Sequence, residues 1–326
     1  MTINKQSKHD KIIMPKLFTI LVFLGLSACQ SADQNDEVEG RTMGTSYSIK
    51  AQTIKIDQHQ IDQRLKQINQ IFSSWDQNSE LSALNRQPVG GVADISTDMS
   101  FVLSEAVSLH GQTSGFFNPG MGQLIDVWGF GVADVKHKPS RSEIAKALNN
   151  SLIEQLKLSK LKLEKSADIQ LNLSAIAKGY AVDEIAKILN NQQGERFMVE
   201  IGGEIKVKGS WSIGIEAPVG QPAIAINLVN ESIATSGNYR QYFVWQGRRY
   251  AHILDPHTGL PVDSDLFSAS VIHKSNMLAD AYATAMMAMG SVKAAKMARQ
   301  LKLKTVLILN KCGDPCLSQN IIKIGL

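Results

Sequence analysis

The sequence predicts an α+β fold in a single domain, with mixed or antiparallel sheets flanked by helices. Helical and strand-like segments follow one another without the regular strand–helix–strand alternation of parallel α/β proteins. No P-loop and no strand-linked GxGxxG pattern occurs, which argues against a Rossmann fold. No repeat, low-complexity tract or linker divides the chain after residue 40, so we place one domain at 40–326.

The first 28 residues have the features of a bacterial signal peptide. A basic segment, 5–16, precedes an apolar stretch from Leu17 to Ala28 that is too short to cross a bilayer. The stretch ends in Leu26-Ser-Ala-Cys29, which resembles a lipobox. Cys29 is therefore expected to carry a lipid such as palmitate and to become the mature N-terminus; an ordinary signal peptide with a chance cysteine is the alternative. The polar residues 29–39 would then be a tether.

Apolar periodicity predicts the helices and strands that follow. Ser140 and Glu143 form a capping-box pattern at one helix start. Residues 201–203 and 235–237 are interpreted as glycine turns. The predicted helices are 59–74, 141–150, 175–190, 277–289 and 291–300. The predicted strands are Tyr47–Gln52, Phe197–Ile201, Trp211–Glu216, Ala223–Val229, Ala269–His273 and Thr305–Leu309.

The composition excludes some classes of protein. Of 326 residues, 44% are apolar and 20% charged, which is enough for a core and too apolar for a disordered chain. The net charge of +4 comes mostly from four lysines of the signal segment, so the rest is nearly neutral. Together with only 6% aromatic residues, this argues against a protein that binds nucleic acid by charge.

Two cysteines near the C-terminus form an even pair. Cys312 and Cys316 lie in the turn-rich segment Lys-Cys-Gly-Asp-Pro-Cys. In an oxidising compartment this spacing favours a small disulfide loop. A metal-binding pair and two free thiols are the alternatives.

A single carboxylate in an apolar helix is the first candidate for chemistry. Asp280 and Thr284 are four residues apart, so they share one face of the predicted helix 277–289. A carboxylate among apolar residues is costly without a partner. A hard cation such as Mg²⁺ would supply one, with carbonyls, water or phosphate as further ligands. The alternative is that Asp280 caps a helix or forms a salt bridge and that Thr284 simply packs.

Two other segments carry candidate functional groups. His252 stands where a predicted strand meets the turn Asp255-Pro-His-Thr-Gly259, a position suited to a general base or to a histidine that braces the turn. Lys178 lies near the start of the helix that follows Asn172. A helix N-terminus with a lysine can bind phosphate, although a capped helix with a surface lysine would look the same.

Serine enzymes that act on penicillin are a rival interpretation. Ser159-x-x-Lys162, Ser236-Gly-Asn238 and His257-Thr-Gly259 echo their three motifs. However, the first pair lies in an alternating, exposed strand-like run rather than at the start of a buried helix. The second and third motifs are also too close together, so we set this interpretation aside.

Eight short motifs, in order from Gly40 to about Gly290, resemble the ApbE family of FAD:protein FMN transferases. Each is weak alone, whereas the ordered set is specific. The motifs are Arg41-Thr-Met-Gly-Thr45, Ser74–Asn85, Gly115-Phe-Phe-Asn-Pro119 with Trp128-Gly-Phe-Gly131, Leu173–Asp183, Ile201-Gly-Gly-Glu204, Ala234–Tyr239, His252–Gly259 and Ala279–Thr284.

The resemblance implies an ApbE-like domain and an activity. Such enzymes use FAD and Mg²⁺ to transfer the FMN moiety to a threonine hydroxyl of another protein, and they release AMP. Their acceptors are subunits of membrane redox complexes such as sodium-translocating NADH:quinone reductase. A lipoprotein on the periplasmic face, with the inner membrane favoured, fits such acceptors.

The resemblance also implies roles for individual residues. His252 would deprotonate the acceptor threonine. Met43 and Trp75 would line the flavin and adenine regions. The other expected FAD contacts are Phe116, Phe117, Asn118, Asn172, Lys178 and Leu254. The expected Mg²⁺ ligands are the Ala175 carbonyl, Asp280 and Thr284, with Ala283 as a further candidate.

The chain departs from the family pattern at two positions. Asn118 and Asn172 stand where many members carry aspartate, so we expect them to hydrogen-bond nucleotide rather than to hold metal. Two other functions stay open: a Mg²⁺-dependent FAD pyrophosphatase, in which water replaces threonine, and a flavin-binding lipoprotein without catalysis. The second would need neither a metal nor a base, so Asp280 and His252 argue against it.

Overall fold

The fold is organised around one large antiparallel sheet. The computed structural model describes residues 35–52, 54–132, 137–217, 223–238, 242–310 and 319–326, all within one unit spanning residues 33–326. The strands are β1 (Asn35–Thr42), β2 (Thr45–Gln52), β3 (Val92–Asp94), β4 (Leu156–Ser159), β5 (Lys162–Lys165), β6 (Arg196–Ile201), β7 (Glu204–Lys208), β8 (Ser210–Ile215), β9 (Ile224–Val229), β10 (Ser232–Gly237), β11 (Tyr242–Trp245), β12 (Arg248–Ala251), β13 (Leu266–His273), β14 (Lys304–Asn310) and β15 (Gln319–Ile324).

Some helices connect strands of different sheets, and others lie between neighbouring strands of the main sheet. Among the described residues the α-helices are α1 (Gln58–Phe72), α2 (Glu80–Asn85), α3 (Thr97–Gln112), α4 (Gly122–Val127), α5 (Arg141–Asn149), α6 (Ser174–Asn191), α7 (Asn276–Met289) and α8 (Ser291–Gln300). The main sheet has the order β1-β2-β6-β7-β10-β13-β14-β15, and every neighbouring pair in it is antiparallel. This arrangement confirms the predicted α+β class.

The two faces of the main sheet are covered differently. Helices α6 and α7 contribute buried residues such as Ile176, Ile185 and Met286 to the main core, with Ile49 and Val199 from the sheet. On the other face, the β8–β9 hairpin adds its own buried residues to a smaller core. The helical face therefore holds α6 and α7, and both predicted metal-site segments lie on them.

The predicted helices are all present, with bounds within two residues. In α1, Ile61, Leu65 and Phe72 are buried at the expected spacing, and the Asp57 side chain accepts a hydrogen bond from the Gln60 N–H at the helix start. The capping box is also confirmed at α5. Helices α2, α3 and α4 were not predicted. Helices α2 and α4 have only six residues each, too few to show a period, whereas the buried residues of α3, from Met99 to Leu109, do follow helical spacing.

Two sequence predictions need correction. Residues 35–39, assigned to the tether, belong to β1, which pairs with β2 along its whole length from Asn35↔Gln52 to Thr42↔Thr45. These residues are polar, but their backbone groups are paired with β2. The Asp36 carboxylate also accepts a hydrogen bond from the Ile56 N–H at 2.6 Å. The two interactions together hold the segment in the sheet. Residues 235–237 are not a turn but the end of the buried strand β10.

Three residues that carry predictions from the sequence lie outside the described part of the chain. Cys29, Cys312 and Cys316 belong to this group, so the lipid anchor and the disulfide stay predictions. Within the described ranges, no helix combines the length and apolar character needed to cross a bilayer.

Candidate active site

Helices α6 and α7 make their closest approach at a glycine. A Cβ atom at Gly179 would lie 2.5 Å from the Asn276 carbonyl oxygen and 2.7 Å from the Met277 Cα, so no larger residue fits there without displacing backbone. The close approach lets the Gly179 N–H donate to Asp280 Oδ2 at 3.2 Å. We call this contact region, centred on Gly179 and Asp280, the helix crossing.

The Asp280 carboxylate is buried at the helix crossing. Only 5% of the residue is exposed. Burial raises the pKa of Asp280, whereas the nearby Lys178 ammonium and the Gly179 N–H act in the opposite direction. Lys178 Nζ lies 3.7 Å from Asp280 Oδ2. Both protein contacts therefore fall on Oδ2, and within the described ranges Oδ1 has no hydrogen-bond or ion-pair partner.

The oxygen atoms around Asp280 fit a hard divalent cation. Thr284 follows one turn later on α7, and its hydroxyl makes no hydrogen bond to any residue that the structure describes. Ala175 lies four residues before Gly179, so its carbonyl is the usual helical partner of the N–H that donates to Asp280. A carboxylate, a hydroxyl and backbone carbonyls are the ligand types that Mg²⁺ takes.

Clustered side-chain ligands do not account for such a site. Among the described residues no group of three or more His, Cys, Asp or Glu could hold a metal ion. A cation at the helix crossing would therefore depend on one carboxylate together with uncharged oxygens. That composition suits a site completed by water or by substrate phosphate.

Glu204 is a site residue that sequence reasoning missed. It begins β7 directly after the Gly202–Gly203 turn and is only 3% exposed. Its Oε1 accepts from Lys178 Nζ at 2.8 Å, which is closer than Lys178 comes to Asp280. The motif Ile201-Gly-Gly-Glu204 contained the residue, but nothing in the sequence indicated that its charge is buried.

Asp183 is a second missed residue, and it holds the start of α7. It lies one turn after Gly179 on α6, so its position on the helix face that crosses α7 could have been predicted. Its carboxylate accepts hydrogen bonds from Ser275 Oγ (2.8 Å) and from the N–H groups of Asn276 (3.0 Å) and Met277 (3.1 Å). Lys206 Nζ donates to it at 2.6 Å. A carboxylate at a helix N-terminus accepts hydrogen bonds from N–H groups that have no partner within the helix. Its negative charge also interacts favourably with the helix dipole.

His252 lies in a different environment, directly after the β11–β12 hairpin. We call residues 250–262 the histidine segment. Its turn is closed by backbone bonds between Asp255 and residues 259 and 260 and by one from the Val262 N–H to the Ile253 carbonyl. The His252 imidazole is half-buried, and its ring lies 6.3 Å from that of Phe130 at an interplanar angle of 72°.

Trp128 packs against the histidine segment and donates a hydrogen bond to it. Its indole N–H donates to the Gly259 carbonyl at 2.8 Å, and its ring lies 5.7 Å from that of Tyr250. Trp128 lies beside Tyr250, and Phe130, two residues after Trp128, lies beside His252, two residues after Tyr250. The predicted motif Trp128-Gly-Phe-Gly131 thus packs against the candidate base.

The residues expected to contact FAD fall into two groups. Met43 occupies a left-handed turn position between β1 and β2, with φ of 49°, and is half-buried. Trp75 is 66% exposed after α1. Phe116 is half-buried, with its ring 4.5 Å from that of His257 and 4.9 Å from Lys293 Nζ. These three side chains present surface that a flavin or adenine ring could cover.

Three further residues expected to contact FAD, Phe117, Leu254 and Asn118, have side chains that are already buried or hydrogen-bonded within the protein. Phe117 is a correction: it is 3% exposed and packs in the main core, so its ring is not available to line an open FAD wall. Leu254 is also buried, in a separate cluster with Trp128, which leaves only its backbone for contact. Both ends of the Asn118 amide bond to the chain, to the Ser151 carbonyl and the Gly120 N–H.

Asn172 is more available than Asn118. Its Oδ1 accepts from the N–H and the hydroxyl of Ser174, at 3.0 and 2.6 Å, and so shapes the start of α6. Its Nδ2 donates to no residue within the described ranges. Asn172 therefore keeps one donor for a ligand at the helix N-terminus.

Comparison with known proteins identifies one family. The sequence profile of the ApbE family matches residues 43–308. The FAD:protein FMN transferase of Vibrio cholerae is 36% identical over 310 residues, covering 90% of this chain and 93% of the relative. That of Haemophilus influenzae is 33% identical, covering 92% and 93%.

Solved structures agree with these sequence relatives. The flavin transferase ApbE from Vibrio cholerae has a TM-score of 0.81 and 34% identity, covering 90% of this chain and 97% of that chain. The apo form of the Pseudomonas stutzeri flavinyl transferase ApbE has a TM-score of 0.83 and 27% identity, covering 90% and 95%. The match extends over both the helix crossing and the histidine segment.

Proposed function

The chain belongs to the ApbE family and is an enzyme; on that premise we propose that it transfers the FMN moiety of FAD, with Mg²⁺, to a threonine hydroxyl of an acceptor protein. Relatives at 33–36% identity are named FAD:protein FMN transferases, which supports flavin transfer as the reaction. The observation that carries the finer proposal is the pairing of Asp280 with Thr284 at the helix crossing, with oxygen atoms that suit Mg²⁺.

The proposed reaction is a displacement at phosphorus. The threonine oxygen attacks the phosphorus atom of the FMN half of FAD, and the bond from that phosphorus to the bridging oxygen breaks. AMP leaves with the bridging oxygen, and a phosphoester joins FMN to the acceptor. A bound Mg²⁺ would neutralise charge on the pyrophosphate oxygens. Asp280, Thr284 and the carbonyls of Ala175 and Ala283 are the residues that would hold it.

The chain's own residues position the substrates. We assign His252 as the general base that takes the proton from the threonine hydroxyl, because its imidazole is half-exposed at the end of a strand. Met43, Trp75 and Phe116 would contact the flavin and adenine rings. Asn172 and Lys178 would contact the phosphates near the start of α6, where helix N–H groups favour anions.

We further propose that the enzyme is a periplasmic lipoprotein whose acceptors are subunits of membrane redox complexes, with sodium-translocating NADH:quinone reductase as one example. The sequence of the signal segment and Cys29 supports this location. Fractionation of cells that carry Cys29→Ser tests it: release of the protein from membranes supports the anchor, and unchanged membrane association contradicts it.

Transfer itself can be tested with a soluble form that starts at Asp33. This protein is mixed with FAD, Mg²⁺ and a candidate acceptor domain, and the denatured products are separated on a gel. We expect flavin fluorescence that stays with the acceptor and disappears when EDTA is added. An acceptor threonine changed to alanine is the matched control and should stay dark.

Other results would contradict the proposal in distinct ways. A dark acceptor with AMP and free FMN in solution would indicate a pyrophosphatase. A fluorescent acceptor that persists in EDTA would overturn the Mg²⁺ requirement. Intact FAD with every redox-complex domain tested would contradict the proposed class of acceptor.

A further inference from the structure

Three charged groups meet at the helix crossing: one ammonium and two carboxylates. Lys178 lies between two carboxylates, with Nζ 2.8 Å from Glu204 Oε1 and 3.7 Å from Asp280 Oδ2. Glu204 and Asp280 are 3% and 5% exposed, whereas the Lys178 side chain is 28% exposed. Lys178 is therefore shared, at unequal distances, between two buried carboxylates.

The two distances show which carboxylate holds the ammonium. At 2.8 Å the Lys178–Glu204 contact is a charge-assisted hydrogen bond, whereas 3.7 Å to Asp280 is beyond hydrogen-bond distance for such a pair. Glu204 is fixed at the first residue of β7 by the sheet, and Lys178 projects from α6. The strand thus draws the lysine toward itself and away from α7.

The consequence falls on Asp280. A lysine ammonium and a divalent cation compete for the same carboxylate, because each neutralises its charge. From these contacts we infer that Glu204 is a positioning residue that holds Lys178 back from Asp280, so that this carboxylate stays available to a divalent cation. The inference rests on the proposed cation site at Asp280 and Thr284, and it concerns a residue outside the ligands proposed for that site.

Loss of Glu204 should let the lysine form a direct pair with Asp280. If Nζ moves from 3.7 Å to 2.8 Å, Coulomb's law at an effective dielectric constant of about 20 makes the added competition worth about tenfold in binding. Removal of Lys178 as well should abolish the competition. The double replacement exchanges a buried ion pair for two apolar side chains, a change that is often neutral or stabilising.

The experiment measures Mn²⁺ binding directly, by the loss of its free electron paramagnetic resonance signal, in the soluble protein without FAD. Four variants are compared with the wild type: Glu204→Met, Lys178→Met, the double variant and Asp280→Asn. We expect Glu204→Met to bind Mn²⁺ about tenfold more weakly. The double variant should return to within about threefold of the wild type, and Lys178→Met should bind at least as tightly as the wild type.

The controls separate this inference from the cation site itself. Tight binding by the wild type that Asp280→Asn abolishes establishes the site; weak binding by the wild type contradicts the proposed function instead. With the site established, unchanged binding in Glu204→Met, or a double variant as weak as Glu204→Met, overturns the role of Glu204. If Glu204→Met does not fold, weaker Mn²⁺ binding by Lys178→Met would overturn it independently.

Discussion

The helix crossing and the histidine segment are stabilised by different kinds of interaction. At the crossing, buried charges and close backbone contacts fix the geometry: Asp183 alone accepts four hydrogen bonds, and Gly179 leaves no room for a side chain. The histidine segment is held by aromatic rings and by single hydrogen bonds such as the one from Trp128 to the Gly259 carbonyl.

The difference matches what each region must do. A cation site needs charges whose positions cannot drift, and charges buried in helices cannot move without losing their partners. A base that serves a protein acceptor needs an accessible imidazole, which ring packing on one side allows. We therefore expect variants at the crossing to affect both metal binding and stability, and variants in the histidine segment to affect transfer more selectively.

The largest effect is expected from Asp280→Ala, which removes the only side-chain charge proposed to hold Mg²⁺. We expect Mg²⁺-dependent transfer to be abolished, measured as flavin fluorescence on the acceptor. Asp94→Ala is a matched control, because Asp94 is an exposed acidic residue in β3 that pairs with Lys162. Transfer by Asp280→Ala at the rate of the control would refute the metal assignment.

His252→Ala should separate chemistry from binding. We expect transfer to slow by about 10²–10⁴-fold, the usual contribution of a general base. FAD binding, followed by quenching of flavin fluorescence, should remain close to that of the wild type. His59→Ala, at an exposed position in α1, controls for loss of a histidine. Loss of FAD binding in His252→Ala would make the histidine a structural residue.

Asp183→Ala tests the rigidity of the crossing. It would leave Lys206 and two N–H groups at the start of α7 without their partner, so we expect the free energy of unfolding to fall by about 3–5 kcal/mol. Urea denaturation measures the change. Ser275→Ala removes one of the same hydrogen bonds and also the N-cap acceptor of the Leu278 N–H, and it should cost less, about 1–2 kcal/mol. Equal losses in the two variants would argue against a charge network.

Trp128→Phe should have the smallest effect. It keeps an aromatic ring beside Tyr250 but removes the donor to the buried Gly259 carbonyl, which should cost about 1–3 kcal/mol. Thermal unfolding measures this loss, and Mn²⁺ binding should not change, because the helix crossing is untouched. Weaker Mn²⁺ binding in Trp128→Phe would show that the two regions are not independent.

The sequence predicted five of the described α-helices and missed three, including the 16-residue α3. Helices α1, α6 and α7 were all found; α1 and α7 have a side-chain N-cap, whereas α6 has none. Strand β10 was mistaken for a turn because Thr235, Ser236 and Gly237 are typical turn residues. In the folded protein such small residues fit beneath α7, and Thr235 bonds to Ser270 across the sheet at 2.8 Å.

The site was predictable only as far as local patterns reach. The Asp280–Thr284 spacing on one helix and the position of His252 after a strand are local features. The pairing of Lys178 with Glu204, 26 residues apart, and of Asp183 with Ser275, 92 residues apart, depends on how α6 is packed against β7 and α7. Phe117 shows the reverse limit, since its neighbour Phe116 is half-exposed while Phe117 itself turns into the core.

If Cys29 carries the proposed lipid, strand β1 sets how far the enzyme can work from a membrane. Because the paired sheet starts at Asn35, five residues, 30–34, lie between a lipid on Cys29 and a fixed point of the domain. Even fully extended, the six Cα–Cα steps from residue 29 to residue 35 reach about 20 Å. A lipid-anchored enzyme with so short a tether would be confined to a thin layer along the bilayer surface, so its acceptor threonines would have to enter that layer.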